Sequence, residues 1–268
     1  MTYRYDFSIA KLRLRVESPR ALTVPENFRP FETAVEGIPD IRLEICFGSG
    51  RDIPAAQAFY WKDGESVLRQ DPSQPGEPIR LHIPESFGDV FCRQGNWMLY
   101  LAPEKMLLGY DRLILHASAV IHQGKAYLFS APSGGGKSTH AALWQSHYGA
   151  QILNGDKVVL HVQEGRCTAY GSPVAGSSGI YRNQGAPVAG VFILHKAGYN
   201  RLSRPSLRTS LLALYSETVK SGEDPQLNTR LLDLLQLLQS TVPVLSLECL
   251  PQKEAVDCIL TNLEGMTQ

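Results

Sequence analysis

The sequence has no excess of charge of either sign. Lys plus Arg equals Asp plus Glu at 26 each, so the formal net charge at pH 7 is +0. A protein without a basic field has no general attraction to nucleic acid or to anionic membranes. We therefore expect no nucleic-acid partner and no membrane partner, and any anionic ligand must be bound by a local arrangement of groups.

Cysteine is scarce and long apolar runs are absent. The five cysteines stand singly, without a CxxC pair or a histidine set at zinc spacing: Cys46, Cys92, Cys167, Cys249 and Cys258. This spacing predicts reduced structural thiols rather than disulfides or a zinc site. The opening segment MTYRYDFSIAKLRLRVESPRAL alternates polar and apolar residues, and no later segment reaches membrane-spanning length. These absences predict a cytoplasmic protein.

The chain changes character near residue 105. Before that point the pattern predicts short strands separated by Pro, Gly and Asp clusters, at 3–16, 40–46, 56–61, 79–83 and 97–100, with a loop-like stretch at 63–80. This half carries no clustering of His, Cys and carboxylates that suggests a reaction centre. We therefore predict a mostly β domain over 1–105 that serves as a scaffold, in dimerisation or in substrate presentation.

From 106 to 268 the pattern becomes strand, loop and helix, which predicts an α/β domain and an α+β protein overall. The runs LILHASAVI and AYLFSA are joined by HQGK, a hairpin-like connection. Further strands precede three helical stretches, and the chain closes with the strand VPVLSLECL and a helix beginning near Pro251. The middle stretch has one apolar stripe, formed by Leu227, Leu231, Leu234, Leu235 and Leu238. We expect it to face the core, with a partner-helix surface as the alternative.

A glycine-rich loop stands between a strand and a helix in LFSAPSGGGKSTHAALW, residues 128–144. In such a loop the backbone N–H groups and the helix N-terminus form a cradle for phosphates, a lysine reaches the outer phosphates, and a hydroxyl binds magnesium. Ala131 stands where the motif has its first glycine, a substitution that negative φ tolerates. A flexible glycine linker would explain neither Lys137 nor the flanking strand. The predicted phosphate-binding residues are Ser133, Gly134, Gly135, Gly136, Lys137, Ser138 and Thr139.

A second metal ligand is expected because magnesium held by phosphates and Ser138 alone is poorly fixed. Asp156 follows the apolar run of AQILNGDKVVL, 19 residues after Lys137. One helix and a short turn cover that distance, so Asp156 is expected at the carboxyl end of a strand in the same sheet. The alternative is an ordinary turn aspartate in the N-G-D cluster.

Three segments together resemble the catalytic domain of the HPr serine kinase/phosphorylase family, which is related to the phosphoenolpyruvate carboxykinases. They are LHASAVIHQGKAYLFSAPSGGGKSTHAALW, GAQILNGDKVVL and YGSPVAGSSG. By position, His116 matches the family's histidine on the strand before the loop, and Asp156 matches the second residue of its Asp-Asp pair. Gly155 replaces the first aspartate, which is thought to exchange a proton with the substrate serine.

The resemblance implies a kinase that uses ATP or another nucleoside triphosphate with Mg²⁺ to phosphorylate a serine on a small protein or a ribosomal peptide. Its catalytic residues would be Lys137, Asp156 and His116, although a lone histidine in an apolar strand is more often a core residue. Two alternatives stay open: a catalytically silent nucleotide-binding or interaction protein, which Gly155 favours, and carboxykinase-type transfer to a small molecule. The HPr kinases form hexamers, so a homo-oligomer is also open.

Overall fold

The computed structural model of the chain divides into two compact units, Met1–Ala102 and Pro103–Gln268. The structure describes residues 1–34, 36–48, 57–60, 66–74, 76–95, 97, 100, 102–220 and 224–266. The sequence placed the change of character a few residues later, at 105. Within the described ranges, no helix is both long enough and apolar enough to cross a membrane.

The first unit is built on a six-stranded mixed sheet. Its strands are β1 (Tyr3–Ile9), β2 (Leu12–Ser18), β3 (Ile41–Phe47), β4 (Gln57–Tyr60), β5 (Ser66–Gln70) and β6 (Ile79–Ile83), in the order β1-β2-β3-β6-β5-β4. β3 runs parallel to β2 and to β6, and the other pairs are antiparallel. Helix α1 (Glu85–Gln94) follows β6. Among its described residues, this unit therefore contains more strand than helix.

Several sequence-based boundaries in this unit were wrong. Residues 3–16 are not one strand but part of a hairpin, because Ala10 (φ 51°) and Lys11 (φ 66°) adopt left-handed conformations and reverse the chain. The stretch 63–80 was expected to be a loop but contains β5. Trp97 and Tyr100 have 3-10 rather than strand conformation, and the residues between them lie outside the described ranges, as do the ends of the strand expected at 56–61.

The two faces of this first sheet differ in chemistry because successive side chains alternate. Leu14, Leu43 and Leu81 are at most 3% exposed on one face. The other face carries a ladder of ion pairs that crosses four strands in the order Arg4, Glu17, Arg42, Glu44 and Arg80, at N···O distances of 2.9 to 3.4 Å. Each carboxylate joins two arginines, so the ladder supports the register of neighbouring strands.

The second unit has a larger mixed sheet and five helices among its described residues. The strands are β7 (Arg112–His122), β8 (Lys125–Ser130), β9 (Gln151–Asn154), β10 (Lys157–Gln163), β11 (Arg166–Tyr170), β12 (Gly185–Lys196), β13 (Arg201–Ser203) and β14 (Val244–Cys249). The helices are α2 (Pro103–Leu108), α3 (Lys137–Tyr148), α4 (Leu207–Glu217), α5 (Pro225–Thr241) and α6 (Lys253–Met266). The strand order is β11-β10-β7-β8-β12-β14-β13, with β9 beside β7.

Strand β7 organises the region in which the predicted site residues lie. It forms an antiparallel hairpin with β8 through a two-residue turn at Gln123 and Gly124. On its other side it pairs antiparallel with β10 and then with β9, so β9 and β10 form one line of chain interrupted at Gly155 and Asp156. Because β8 and β9 run in the same direction on either side of β7, their carboxyl ends lie at the same level.

Two hydrophobic layers cover this sheet. Helix α5 packs its leucine stripe into a cluster that includes Leu115, Leu128 and Leu160, and the stripe residues Leu231, Leu234, Leu235 and Leu238 are buried. A second cluster contains Trp144 of α3, Val256 and Ile259 of α6, and Phe129 and Phe192 from the sheet. Burial of each large apolar side chain contributes about 1.5–3 kcal/mol. The leucine stripe of α5 therefore faces the core and is not a partner surface.

Candidate functional site

A glycine loop (Ala131–Gly136) connects the end of β8 to the start of α3. Gly134 and Gly136 have φ of 75° and 99°, in the left-handed region that L side chains rarely adopt. Gly135 is required for a different reason, because a Cβ atom there would lie 2.5 Å from the Ala131 Cβ and 2.9 Å from the Pro132 carbonyl oxygen. Each of the three glycines is thus needed for this turn.

Ala131 occupies the position where the phosphate-loop motif has its first glycine. It is not among the residues with positive φ, and its side chain is buried in the cluster around Trp144. Its methyl group lies below Gly135, in the space that a side chain at 135 would need. The loop therefore accommodates alanine at this position without left-handed strain.

Lys137, the first residue of α3, folds back over the glycine loop. Its Nζ atom donates to the carbonyl oxygens of Ala131 at 2.7 Å and Pro132 at 3.4 Å. The side chain is buried, and this burial lowers the pKa of Lys137, against an opposing effect of the nearby carboxylates of Glu217 and Asp156. The lysine thus holds a positive charge at the loop and fixes the loop's shape by its own hydrogen bonds.

His116 of β7 lies between two carboxylates. Its Nε2 atom is 3.0 Å from Oδ1 of Asp156, and its Nδ1 atom is 3.0 Å from Oε2 of Glu217. Ionised carboxylates only accept hydrogen bonds, so each contact needs a proton on the ring nitrogen that makes it, and a neutral ring donates in one contact only. The three side chains are 23%, 23% and 14% exposed, so the group is largely screened from solvent but open on one side.

Glu217 was not anticipated from the sequence, and the pairing of β7 explains its position. β8 ends with Ser130 opposite Ala117, which leaves the earlier part of β7 without a partner on that side. The chain after α4 fills this place: Thr218 forms a bridge with Leu115, and the Val219 N–H donates to the Ile114 carbonyl at 2.9 Å. The last residue of α4 is thereby held beside His116.

A buried asparagine shapes the interruption between β9 and β10. The Asn154 Oδ1 atom accepts from the backbone N–H groups of Asp156 and Lys157, both at 2.8 Å. Its Nδ2 atom donates to the carbonyl oxygens of Ser172 at 2.9 Å and Val174 at 3.1 Å. Asp156 is therefore a turn residue, and this turn directs its carboxylate towards His116 and towards Lys157, whose Nζ lies 3.3 Å from Oδ2.

Gly155 stands where the resembling family has its first aspartate, and the structure leaves no room there for a side chain. A Cβ atom at 155 would lie 2.0 Å from Oγ and 2.5 Å from Cβ of Ser178. Ser178 belongs to a short 3-10 turn, Gly176–Ser178, and donates to the Ala175 carbonyl at 2.6 Å. Gly176 (φ 54°) approaches so closely that an added Cβ would lie 2.8 Å from Cγ of Asp156. This turn therefore packs directly against residues 155 and 156.

The residues singled out in the sequence line one open cavity of about 250 Å³. Its walls are formed by His116, Ser133, Gly134, Gly135, Gly136, Lys137, Ser138, Thr139, Gly155, Asp156, Ala175 and Ser178. In the described ranges no group of three or more His, Cys, Asp or Glu side chains is arranged to hold a metal ion. The predicted metal ligands Ser138 and Asp156 offer two oxygen donors, a set that suits Mg²⁺ only when phosphate and water oxygens complete it.

His140 belongs to the core and not to this cavity. It is 3% exposed, and its ring meets that of Phe129 edge to face at a centroid distance of 4.4 Å. Burial lowers the pKa of His140 to about 4, so the ring is neutral at physiological pH.

Comparisons with known proteins give distant structural similarity only. No protein-family model matches the chain, and no curated protein matches it. A solved structure that it resembles is the HPr(Ser) kinase/phosphatase from Coxiella burnetii, with a TM-score of 0.31 and 13% sequence identity over 57% of this chain and 93% of that chain.

Proposed function

We propose that the unit 103–268 binds a magnesium nucleotide and transfers its terminal phosphoryl group to a serine hydroxyl of a small protein or ribosomal peptide. The observation that supports this most is the convergence of the glycine loop, Lys137 and Asp156 on one cavity. The backbone N–H groups of such a loop and the N-terminus of α3 favour an anion. A volume of about 250 Å³ suits the triphosphate part of such a nucleotide.

Each residue has a role that follows from its position. Lys137 would neutralise the outer phosphates, and Ser138 and Asp156 would hold Mg²⁺, which would supply further neutralisation of the phosphate charge. His116 faces the acceptor hydroxyl. In the reaction the acceptor oxygen bonds to the γ-phosphorus as the bond from that phosphorus to the bridging oxygen breaks. The nucleoside diphosphate leaves with the electron pair, and the hydroxyl proton passes to Nε2 of His116.

A second candidate function is a nucleotide-binding protein without transfer activity. The observation that favours it is the space at Gly155, which Ser178 fills, so the carboxylate used by the resembling family has no equivalent there. In this reading the cavity would bind the same magnesium nucleotide, and the first unit would present or recruit a partner. The two candidates predict the same binding and differ only in phosphoryl transfer.

Labelled nucleotide separates these candidates. The full chain is incubated with Mg²⁺ and γ-³²P-ATP on an array of serine-containing peptides, and nucleotide binding is measured in parallel by calorimetry. We expect Lys137→Ala to lose binding, Asp156→Asn to lose transfer, and His116→Ala to keep only a residual, measurable rate of transfer. Glu248→Gln, which alters a carboxylate paired with Arg201 outside the cavity, serves as the control. Binding without transfer by the wild type would favour the silent protein, and absence of nucleotide binding would refute both.

A further inference from the structure

We propose that Glu217 is a positioning residue of this site, which holds Nδ1 of His116 so that Nε2 is presented to the acceptor hydroxyl. The inference rests on the proposed function and assigns a role that neither the sequence motif nor the resemblance contains. It starts from the short contact of 3.0 Å between Glu217 Oε2 and His116 Nδ1.

The carboxylates of Asp156 and Glu217, which both contact His116, differ in their access to the cavity. Asp156 and His116 line the cavity, whereas Glu217 does not. Asp156 therefore can turn to a ligand in the cavity, and its contact with Nε2 is then given up. Glu217 lies behind the ring, is the least exposed of the three side chains at 14%, and keeps its contact with Nδ1. Occupation of the cavity thus leaves His116 held from one side and free on the other.

This hold is set by the backbone rather than by flexible side chains. His116 lies in the sheet, where it is paired with Lys157 of β10. Glu217 ends α4 and is followed by Thr218 and Val219. These two residues are bonded to β7 at Leu115 and Ile114, one and two residues from His116. The Thr218 Oγ1 atom also donates to the Leu214 carbonyl at 2.7 Å, which closes the end of the helix. Both partners are therefore fixed to the same strand, which is the arrangement that gives a site its geometric precision.

A carboxylate that accepts from Nδ1 decides which nitrogen of a neutral imidazole keeps its proton. With the proton on Nδ1, Nε2 carries the lone pair and accepts a hydrogen bond from a hydroxyl. The same relation of carboxylate, histidine and hydroxyl is used in hydrolytic triads. Because Gly155 supplies no side chain, orientation of the hydroxyl in this site depends on His116, and so on Glu217.

Kinetics on the full chain test the assignment. Under the transfer conditions above, Glu217→Ala is expected to lower kcat about 100-fold and to change the Kd for Mg-ATP less than about threefold, because Glu217 does not line the cavity. Glu217→Gln keeps an acceptor oxygen, so its kcat should be at least about tenfold higher than that of Glu217→Ala. Glu248→Gln should match the wild type. Melting temperatures of all variants are compared to ensure that each is folded.

A double variant separates positioning from an independent effect. In the background His116→Ala, adding Glu217→Ala should change kcat less than about twofold, because Glu217 acts through the ring. A further loss of tenfold or more would overturn the proposal, and so would an equal fall in nucleotide affinity and kcat in the single variant.

Nitrogen NMR provides a readout that does not need transfer activity. In ¹⁵N-histidine-labelled protein saturated with Mg-ADP, the signals of His116, assigned by their loss in His116→Ala, should report a protonated Nδ1. In Glu217→Ala that pattern should change. If His116 shows the same pattern in both proteins, Glu217 does not set the tautomer and the inference fails. If the pattern changes but the wild type transfers no phosphoryl group, Glu217 holds His116 and the proposed function fails instead.

Discussion

The contact between residues 155 and 178 leads to a quantitative prediction. Gly155→Ala introduces a Cβ atom 2.0 Å from Ser178 Oγ and 2.5 Å from Ser178 Cβ, closer than real Cβ contacts come. Overpacking of this kind costs about 1–3 kcal/mol, and each kcal/mol lowers the Tm of a unit of this size by about 2–4 °C. Gly198→Ala is the matched control, because nothing lies within 4 Å of its added Cβ and its φ is not in the left-handed region.

Removal of the obstructing side chain should cancel this cost. Ser178→Gly alone loses the hydrogen bond to Ala175 and the one from Ile180, at a cost of about 1 kcal/mol each. In Gly155→Ala/Ser178→Gly the next atom is the Ala175 oxygen at 3.7 Å, so the double variant should be about as stable as Ser178→Gly alone. Urea unfolding measures all four proteins. If the free-energy cost of the double variant equals the sum of the two single-variant costs to within about 0.5 kcal/mol, the steric reasoning is refuted.

Three further variants test separate features. Gly135→Ala should weaken Mg-ATP binding about tenfold or more, measured by calorimetry against Gly198→Ala, because its Cβ would lie 2.5 Å from Ala131 Cβ and force the loop to shift. The buried ring of His140, with a pKa of about 4 against an ordinary 6.5, stays unprotonated while the unfolded chain takes up a proton, so stability falls as the pH drops from 6.5 to 4. Between pH 7 and pH 5 the wild type should lose about 2 kcal/mol more than His140→Gln in urea unfolding; equal losses would contradict the assignment. Asp224→Ala removes the side chain that accepts from the first N–H groups of α5 and should lower the free energy of unfolding by about 1 kcal/mol. An unchanged midpoint in urea unfolding would show that this cap does not stabilise the helix.

The sequence predicted the proximity of residues that directly follow strands and lie close to one another along the chain. The glycine loop follows β8, and Asp156 follows β9. These two strands run in the same direction on either side of β7. These local signals were sufficient to place Lys137 and Asp156 at one cavity. The sequence did not indicate that β9 continues into β10 along β7, because a bulge held by a buried asparagine has no periodicity of its own.

Glu217 could not be found in this way. It lies 101 residues from His116 along the chain. The two meet only because residues 218 and 219 pair with the part of β7 that has no β8 partner. The obstruction at Gly155 is equally non-local, since Ser178 arrives from a separate turn. In the first unit, the hairpin at Ala10 and Lys11 was missed because neither residue is a usual turn former.

The line that β9 and β10 form along β7, interrupted only at Gly155 and Asp156, has a mechanical consequence. His116 lies on a strand that is paired both before and after it, and Asp156 lies in the turn between two paired strands. Neither backbone can therefore shift without opening a ladder in the middle of the sheet. The positions of these two backbones are therefore set by the sheet before any ligand enters the cavity.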